Sequence, residues 1–276
     1  MIHSNSEGDI YIEEMPLLLV HLREEEKGAD ARLSEVLSYA LDGYAYETAM
    51  EISAFEDYVN RWRRLEKTQN RKNPVQGRIL FAVPLGTSGI NLELYRLIRF
   101  LREHPDFLNG FVGGLLVDSE NDLYSKSAAK DLVFAANCAG CAFVGRPLVE
   151  GTRTLSNYTI VSNNLGTDLM GAYRESAAGL VKEVLGTDCV RKKCPKVLVL
   201  HASSHKTSNT YAIWDRVKEQ LPEMEIREIG LRNGTLSDCA GCPYKMCLHF
   251  GEQGSCFYGG VMVEDVYPAV READAI

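Results

Sequence analysis

Short apolar runs alternate with helical patterns in the first part of the chain, and this alternation restricts the possible folds more than any other feature. Each of five runs rich in aliphatic and β-branched residues is followed by a segment with apolar residues at helical spacing. Runs that are apolar on both faces are typical of parallel sheets covered by helices on both sides. The candidate strands are residues 15–22, 49–55, 77–86, 111–119 and 141–151. We therefore predict one doubly wound α/β domain at 15–188, with strand order 2-1-3-4-5.

A second α/β unit begins after the polar, basic linker 187–195, which ends in a proline. The apolar run KVLVL predicts a buried strand at 196–200, and a helical pattern follows it. MEIREIGL predicts a second strand, and the final ADAI is the apolar start of a third. A doubly wound domain needs five such strands, so we expect 196–276 to be the N-terminal part of a second domain, incomplete at its C-terminus.

The loop between the first strand and the first helix of this second unit is rich in hydroxyl groups. Amides at a helix start, together with hydroxyl and basic side chains, can bind a phosphate. Ser208, Asn209 and Thr210 are also common N-cap residues, so the residue types alone leave simple helix capping open. The candidate phosphate ligands are Ser203, Ser204, His205, Lys206, Ser208, Asn209 and Thr210.

The order of residues in this loop resembles the phosphate loop of the NADPH-dependent FMN reductases, which are flavodoxin-like flavoproteins. Their first strand runs into a segment like S-G-S-P-R-x-G-S-N-T, and the equivalent here is H-A-S-S-H-K-T-S-N-T. Ser203, Ser208, Asn209 and Thr210 match it, whereas His205 stands where the family has an arginine. The resemblance covers residues 196–276. Together with the alternation of apolar runs and helical patterns at 15–188, this resemblance implies two tandem flavodoxin-like doubly wound parallel-sheet units. The first unit would be a degenerate copy of the second.

The resemblance implies an NAD(P)H-dependent oxidoreductase that holds FMN non-covalently. Electrons would pass from a nicotinamide cofactor through the flavin to a small-molecule acceptor. The matched residues would bind the phosphate, helped by Ser204, His205 and Lys206. No catalytic side chain is expected, because the flavin carries the chemistry and the protein supplies position and electrostatics. Relatives are often homodimers, which makes a homodimer the expected state.

Four cysteines in the second unit have the spacing C-x2-C-x4-C-x8-C. They are Cys239, Cys242, Cys247 and Cys256. Glycines and a proline between them predict a compact loop in which four thiolates converge, which suits zinc or an iron–sulfur cluster. Buried apolar cysteines or free thiols are the alternatives. The resemblance extends to iron–sulfur flavoproteins, which hold a [4Fe-4S] cluster with four close-set cysteines, although the last two spacings are longer here.

Charge and composition exclude some classes of function. A formal net charge of −8 disfavours a general nucleic-acid binder, which needs a basic face. No apolar run approaches the ~20 residues that span a bilayer, and the polar, acidic N-terminus does not look like a signal peptide. We therefore expect a cytoplasmic protein without nucleic-acid or membrane partners. Its eight cysteines should then not form disulfides.

The first unit lacks a phosphate loop of this kind. Glu24, Glu25 and Glu26 follow its first strand, where they would repel a phosphate. The GTSG segment at 86–89 is more typical of a turn than of an anion site. Two alternatives to the reductase remain: a flavin or iron–sulfur electron carrier, and a non-catalytic interaction protein whose cysteines hold zinc.

Overall fold

The chain folds into two compact units, Met1–Cys189 and Val190–Ile276. The computed structural model describes residues 15–21, 23, 27–68, 76–189, 192–203, 208–231, 236 and 238–276. The division falls within the predicted linker 187–195. Each unit carries its own parallel sheet, and the two units are described separately.

Unit 1 is built on a five-stranded parallel sheet. The strands are β1 (Leu17–His21), β2 (Tyr46–Ala49), β3 (Gly77–Leu85), β4 (Phe111–Ser119) and β5 (Ala142–Gly151). Their order is β2-β1-β3-β4-β5, which confirms the predicted doubly wound class. The residues of β1 and β4 are all buried, which explains why these strands appear in the sequence as continuous apolar runs.

Helices cover both faces of this sheet. They are α1 (Lys27–Ala40), α2 (Ile52–Thr68), α3 (Leu92–Glu103), α4 (Ser125–Cys138), α5 (Thr159–Leu165) and α6 (Leu169–Gly186). Successive residues of a strand point to opposite faces. Leu17 and Leu19 of β1 thus pack with α1 and α6, whereas Leu18 and Val20 pack with α2, α3 and α4. All five strands end at one edge of the sheet, where the connecting loops begin.

The prediction of the second strand at 49–55 is wrong. The strand ends at Ala49, and α2 already begins at Ile52. Phe55, Val59 and Trp62 are buried at helical spacing, so the apolar residues of this segment belong to a helix face. The true strand lies at the sheet edge and is only partly buried, which hides it from a search for apolar runs. Helix α5 has no counterpart in the prediction.

Unit 2 contains a two-stranded parallel sheet. Its strands are β6 (Lys196–His201) and β7 (Glu225–Gly230), and its helices are α7 (Asn209–Lys218), α8 (Tyr244–Glu252) and α9 (Tyr267–Glu272). A π-helical turn at Met262–Val266 leads into α9. Leu198, Tyr211, Val266 and Ala269 are buried in this unit. The predicted strand–helix–strand order is present.

The segment predicted to start a third strand of unit 2 forms an isolated bridge beside β6, and the described sheet has two strands. Ala275 forms a parallel bridge with Val197, and its carbonyl accepts a hydrogen bond from the Leu198 N–H at 2.9 Å. On the β7 side, the Glu225 N–H donates to the Pro195 carbonyl at 3.0 Å. Alternate residues of a strand direct their backbone groups to opposite neighbours. Ala275 therefore lies on the side of β6 away from β7, as the order 2-1-3 requires.

Candidate functional site

The loop from β6 to α7 starts at the carboxyl edge of the second sheet. Ser203 lies just after β6, and Ser208 is the N-cap residue of α7, with φ −94° and ψ 113°. The Ser208 Oγ accepts a hydrogen bond from the Tyr211 N–H at 3.2 Å, which satisfies one amide of the first turn. Asn209 and Thr210 begin the helix and are exposed. The other predicted phosphate ligands, Ser204, His205 and Lys206, lie outside the described residues.

Two backbone N–H groups of the first turn of α7 are the candidate anion donors at this helix start. The amides of Asn209 and Thr210 belong to the first turn, where an α-helix has no acceptor of its own. Within the part of the chain that the structure describes, neither amide donates to a protein acceptor. The first turn of α7 also contains no acidic side chain to oppose an anion. This arrangement is the one that favours an anion at a helix start.

Two side chains of α7 contact the neighbouring strand β7. The Tyr211 hydroxyl donates to the Glu228 carboxylate, and the Lys218 Nζ lies 2.7 Å from the same carboxylate. Lys218 holds the pKa of Glu228 below its usual range, and the bond to Glu228 raises the pKa of Tyr211. The His201 ring packs against the Tyr211 ring, with 4.8 Å between centroids. The sequence pattern gave no sign of Glu228, whose contact with Tyr211 joins a helix to a strand.

Residues 195–276 match the family described as NADPH-dependent FMN reductase. This segment, less than a third of the chain, is similar to that family. The matched range contains all the predicted phosphate ligands and all four clustered cysteines, and it places the segment among the oxidoreductases. No curated protein matches the chain.

The cysteine-rich part of this FMN reductase segment is not the compact loop that the sequence predicts. Helix α8 runs through it, so Cys247 is helical, Cys239 and Cys242 precede the helix, and Cys256 follows it. Cys239 and Cys247 are exposed. In the described ranges, no three His, Cys, Asp or Glu side chains form a group that could hold a metal ion. A metal at these cysteines stays a prediction from their spacing.

In unit 1, by contrast, Arg32 and His21 at the carboxyl edge each lie beside a carboxylate of the same unit. The Arg32 guanidinium on α1 forms two-point contacts with Asp118 at the end of β4, with an Nη2–Oδ1 distance of 2.7 Å. Asp118 is fully buried, and burial raises the pKa of its carboxyl although Arg32 opposes this. His21, at the end of β1, lies 2.8 Å from Asp30 of α1. Burial lowers the pKa of His21, and Asp30 opposes that shift.

The GTSG segment and Cys141 of unit 1 have structural roles. The GTSG segment is a turn in which the Gly89 N–H donates to the Gly86 carbonyl at 3.0 Å. Cys141 is buried against the sheet, and burial raises the pKa of its thiol well above the usual range. Such a thiol is a poor nucleophile.

None of the described helices is long and apolar enough to cross a membrane.

Proposed function

We propose that the chain is an NAD(P)H-dependent oxidoreductase that holds FMN with its phosphate at the start of α7. Electrons would pass from the nicotinamide through the flavin to a small-molecule acceptor such as a quinone. The observation that carries the proposal is the helix start with two open amides at Asn209 and Thr210, within a segment of the FMN reductase family. The proposal involves no nucleic acid or membrane, and it expects a homodimer.

The described residues fit a phosphate group. The Asn209 and Thr210 amides can donate to phosphate oxygens, and the Thr210 hydroxyl can add a third donor. Helix α7 has ten residues, so its dipole gives the N-terminus a partial positive charge. Ser208 fixes the first turn by accepting from the Tyr211 amide, and this leaves the two amides before it for the ligand. The donors are thus held in place before the ligand arrives, which lowers the cost of ordering them.

When bound, FMN would supply the chemistry of hydride and electron transfer. The residues of this chain would bind and orient it. The proposal therefore needs no side-chain acid or base, and it makes flavin affinity the property that depends most on the loop. Electron transfer without direct reduction by NADPH, as in a carrier, is the alternative. Rapid mixing of the reconstituted protein with NADPH distinguishes the two, because a carrier is not reduced directly.

The direct test is flavin binding and NADPH oxidation by the full chain. FMN affinity is measured by quenching of flavin fluorescence, and turnover by loss of nicotinamide absorbance with a quinone present. Asn209→Asp places a carboxylate against the phosphate and should weaken FMN binding by about tenfold to a hundredfold. Asn163→Asp adds the same charge at an exposed position of α5 and should leave the affinity unchanged. Unchanged affinity in Asn209→Asp would remove the phosphate role.

Iron–sulfur or zinc binding by Cys239, Cys242, Cys247 and Cys256 is a separate proposal that rests on their spacing. It is tested by purifying the chain without oxygen, then recording its absorption spectrum and its metal content. Broad cluster absorption would support the iron–sulfur form. A colourless protein with stoichiometric zinc would favour the non-catalytic interaction protein. Flavin bands with neither metal would leave the cysteines without a metal role.

A further inference from the structure

We propose that helix α8 is the contact surface of the homodimer, and that it packs antiparallel against α8 of a second copy of this chain. Its outer face consists of Tyr244, Leu248 and Gly251, flanked by Lys245 and Glu252. All of these residues lie in the described range 238–276. The homodimer belongs to the proposed function, and the inference names the surface that forms it.

Helix α8 is rich in apolar residues, yet none of its nine residues, all of them described, is buried. Met246 and Phe250 are half-buried on one side, where the Phe250 ring lies 5.6 Å from the Phe257 ring. On the opposite side, Tyr244 is 76% exposed and Leu248 is 42% exposed. A helix of a soluble protein normally turns its apolar stripe to a core. In the described structure, the outer face of α8 lacks that cover.

The exposed apolar surface continues beyond α8. Phe257 is 60% exposed and Tyr258 is 64% exposed, with 5.2 Å between their ring centroids. Of the 25 residues from 239 to 263, only Lys245 and Glu252 are Asp, Glu, Lys or Arg, against 25% in the whole chain. Interface cores are rich in aromatic residues and Met and poor in Lys and Glu. The segment therefore has the composition of an interface.

The size of this surface suits a protein partner. A whole aromatic side chain buries about 200 Å², and the exposed parts of Tyr244, Phe257 and Tyr258 together equal about two such side chains. They supply about half of the ~800 Å² that each partner contributes to a stable interface. Leu248 adds to this area. The Cβ position of Gly251 has nothing within 4 Å, so a second helix can approach closely there.

The charges beside the outer face favour a second copy as the partner. Lys245 and Glu252 are seven residues apart, which is two helical turns, so they lie on the same side of α8. In the described part of the chain, neither forms an ion pair. Around a two-fold axis, an antiparallel pair of helices brings Lys245 beside Glu252 of the partner subunit, and the reverse contact follows by symmetry. Leu248, midway between the two charges, then lies at the axis.

The test measures the dimer dissociation constant of the full chain by sedimentation velocity over a series of concentrations, without added flavin. Leu248→Glu places two carboxylates at the axis and should raise the constant by about a hundredfold or more. Lys245→Glu turns two ion pairs into two repulsive pairs and should raise it roughly tenfold, and Glu252→Lys should do the same. The double variant with both changes restores the two pairs, so its constant should return to that of the unchanged chain.

A matched control makes the same charge change elsewhere. Lys130→Glu lies at an exposed position of α4 and should leave the dimer dissociation constant unchanged. Circular dichroism of each variant measures whether the chain keeps its fold. Lys245 and Glu252 are exposed, so their variants test the proposal even where Leu248→Glu does not fold.

Three outcomes would overturn the proposal. A chain that is monomeric at every concentration has no such surface, and a dimer that persists in folded Leu248→Glu is held by another surface. Single charge variants that the double variant does not rescue would contradict the antiparallel packing. FMN affinity is measured on the same samples. FMN binding by a monomeric chain would remove the dimer surface and leave the reductase, whereas a dimer without FMN binding would do the reverse.

Discussion

The first strands of the two units end in the same residue type but in opposite surroundings. β1 ends at His21 and β6 ends at His201, each at the carboxyl edge of its sheet. His21 is buried beside a carboxylate of the next helix, Asp30, whereas His201 packs on a tyrosine ring and contacts the start of a loop. The same strand–loop–helix arrangement thus places different side-chain contacts at the carboxyl edges of the two sheets.

The following helices show the same contrast. The first turn of α1 contains Asp30, and that of α7 contains no acidic residue and is capped by Ser208. In unit 1 the Arg32 guanidinium is also engaged by Asp118. Arg32 at the edge of unit 1 is therefore paired with a carboxylate of its own unit, whereas the described part of unit 2 shows no protein acceptor for the Asn209 and Thr210 amides at its edge. Side chains at the loops decide whether this fold binds a phosphate.

The largest expected effect comes from breaking the ion pair of Arg32 with Asp118 at the carboxyl edge of unit 1. Arg32→Met leaves the buried Asp118 carboxylate without its partner and should lower the stability of unit 1 by about 3 kcal/mol. Trp62 and Trp214 are the only tryptophans, one in each unit. In a Trp214→Phe background, the fluorescence during urea unfolding therefore reports on unit 1.

The control is an ion pair of the same kind at the surface. Arg61 and Glu47 are both partly exposed, so Arg61→Met should cost less than ~1 kcal/mol. Equal losses of unfolding free energy in Arg32→Met and Arg61→Met would mean that the Arg32–Asp118 pair stabilises unit 1 no more than an ordinary surface ion pair does. FMN affinity should be unchanged in both variants. A loss of FMN affinity in Arg32→Met would end the functional distinction between the two edges.

A smaller effect is expected where the backbone of β5 approaches the Asp118 carboxylate. A Cβ at Gly151 would lie 2.7 Å from Asp118 Oδ2 and 2.8 Å from the Tyr173 ring. Gly151→Ala should therefore destabilise unit 1 by about 2 kcal/mol. Gly145 lies on the same strand with nothing within 4 Å of its Cβ position, so Gly145→Ala is the matched control. If the two substitutions have equal effects in the fluorescence assay, the packing around Asp118 is looser than described.

The smallest expected effect concerns the helix cap in unit 2. Ser208→Ala removes the acceptor of the Tyr211 amide and should weaken the start of α7 by about 1 kcal/mol, whereas Ser208→Gly should cost only a few tenths. Amide hydrogen exchange at Tyr211 measures this opening. Protection that stays unchanged in Ser208→Ala would show that the cap does not order the first turn.

The sequence predicted the fold where burial leaves a simple pattern. The prediction of β4 at 111–119 agrees with the structure at both ends, because every residue of that strand is buried. It misplaced β2, since an edge strand is polar on its open side. It also missed α8, because cysteines and glycines in that segment are more typical of a loop.

Less of the candidate site could be predicted. The order of residues at 203–210 identified the loop, and the N-cap role of Ser208 agrees with its residue type. The contact of Tyr211 with Glu228 could not be predicted, because it depends on how a helix lies on a neighbouring strand. The pair of Arg32 with Asp118 joins residues 86 positions apart and depends on the whole topology of unit 1.

The comparison between the two edges is tested most directly by amide hydrogen exchange of the full chain with and without FMN. The account predicts that FMN slows exchange at residues 203–211, most strongly at Asn209 and Thr210. Exchange at the start of α1 in unit 1 should stay the same. Unchanged exchange at α7, or protection at α1 in its place, would contradict the central claim that the start of α7 is the phosphate site of this chain.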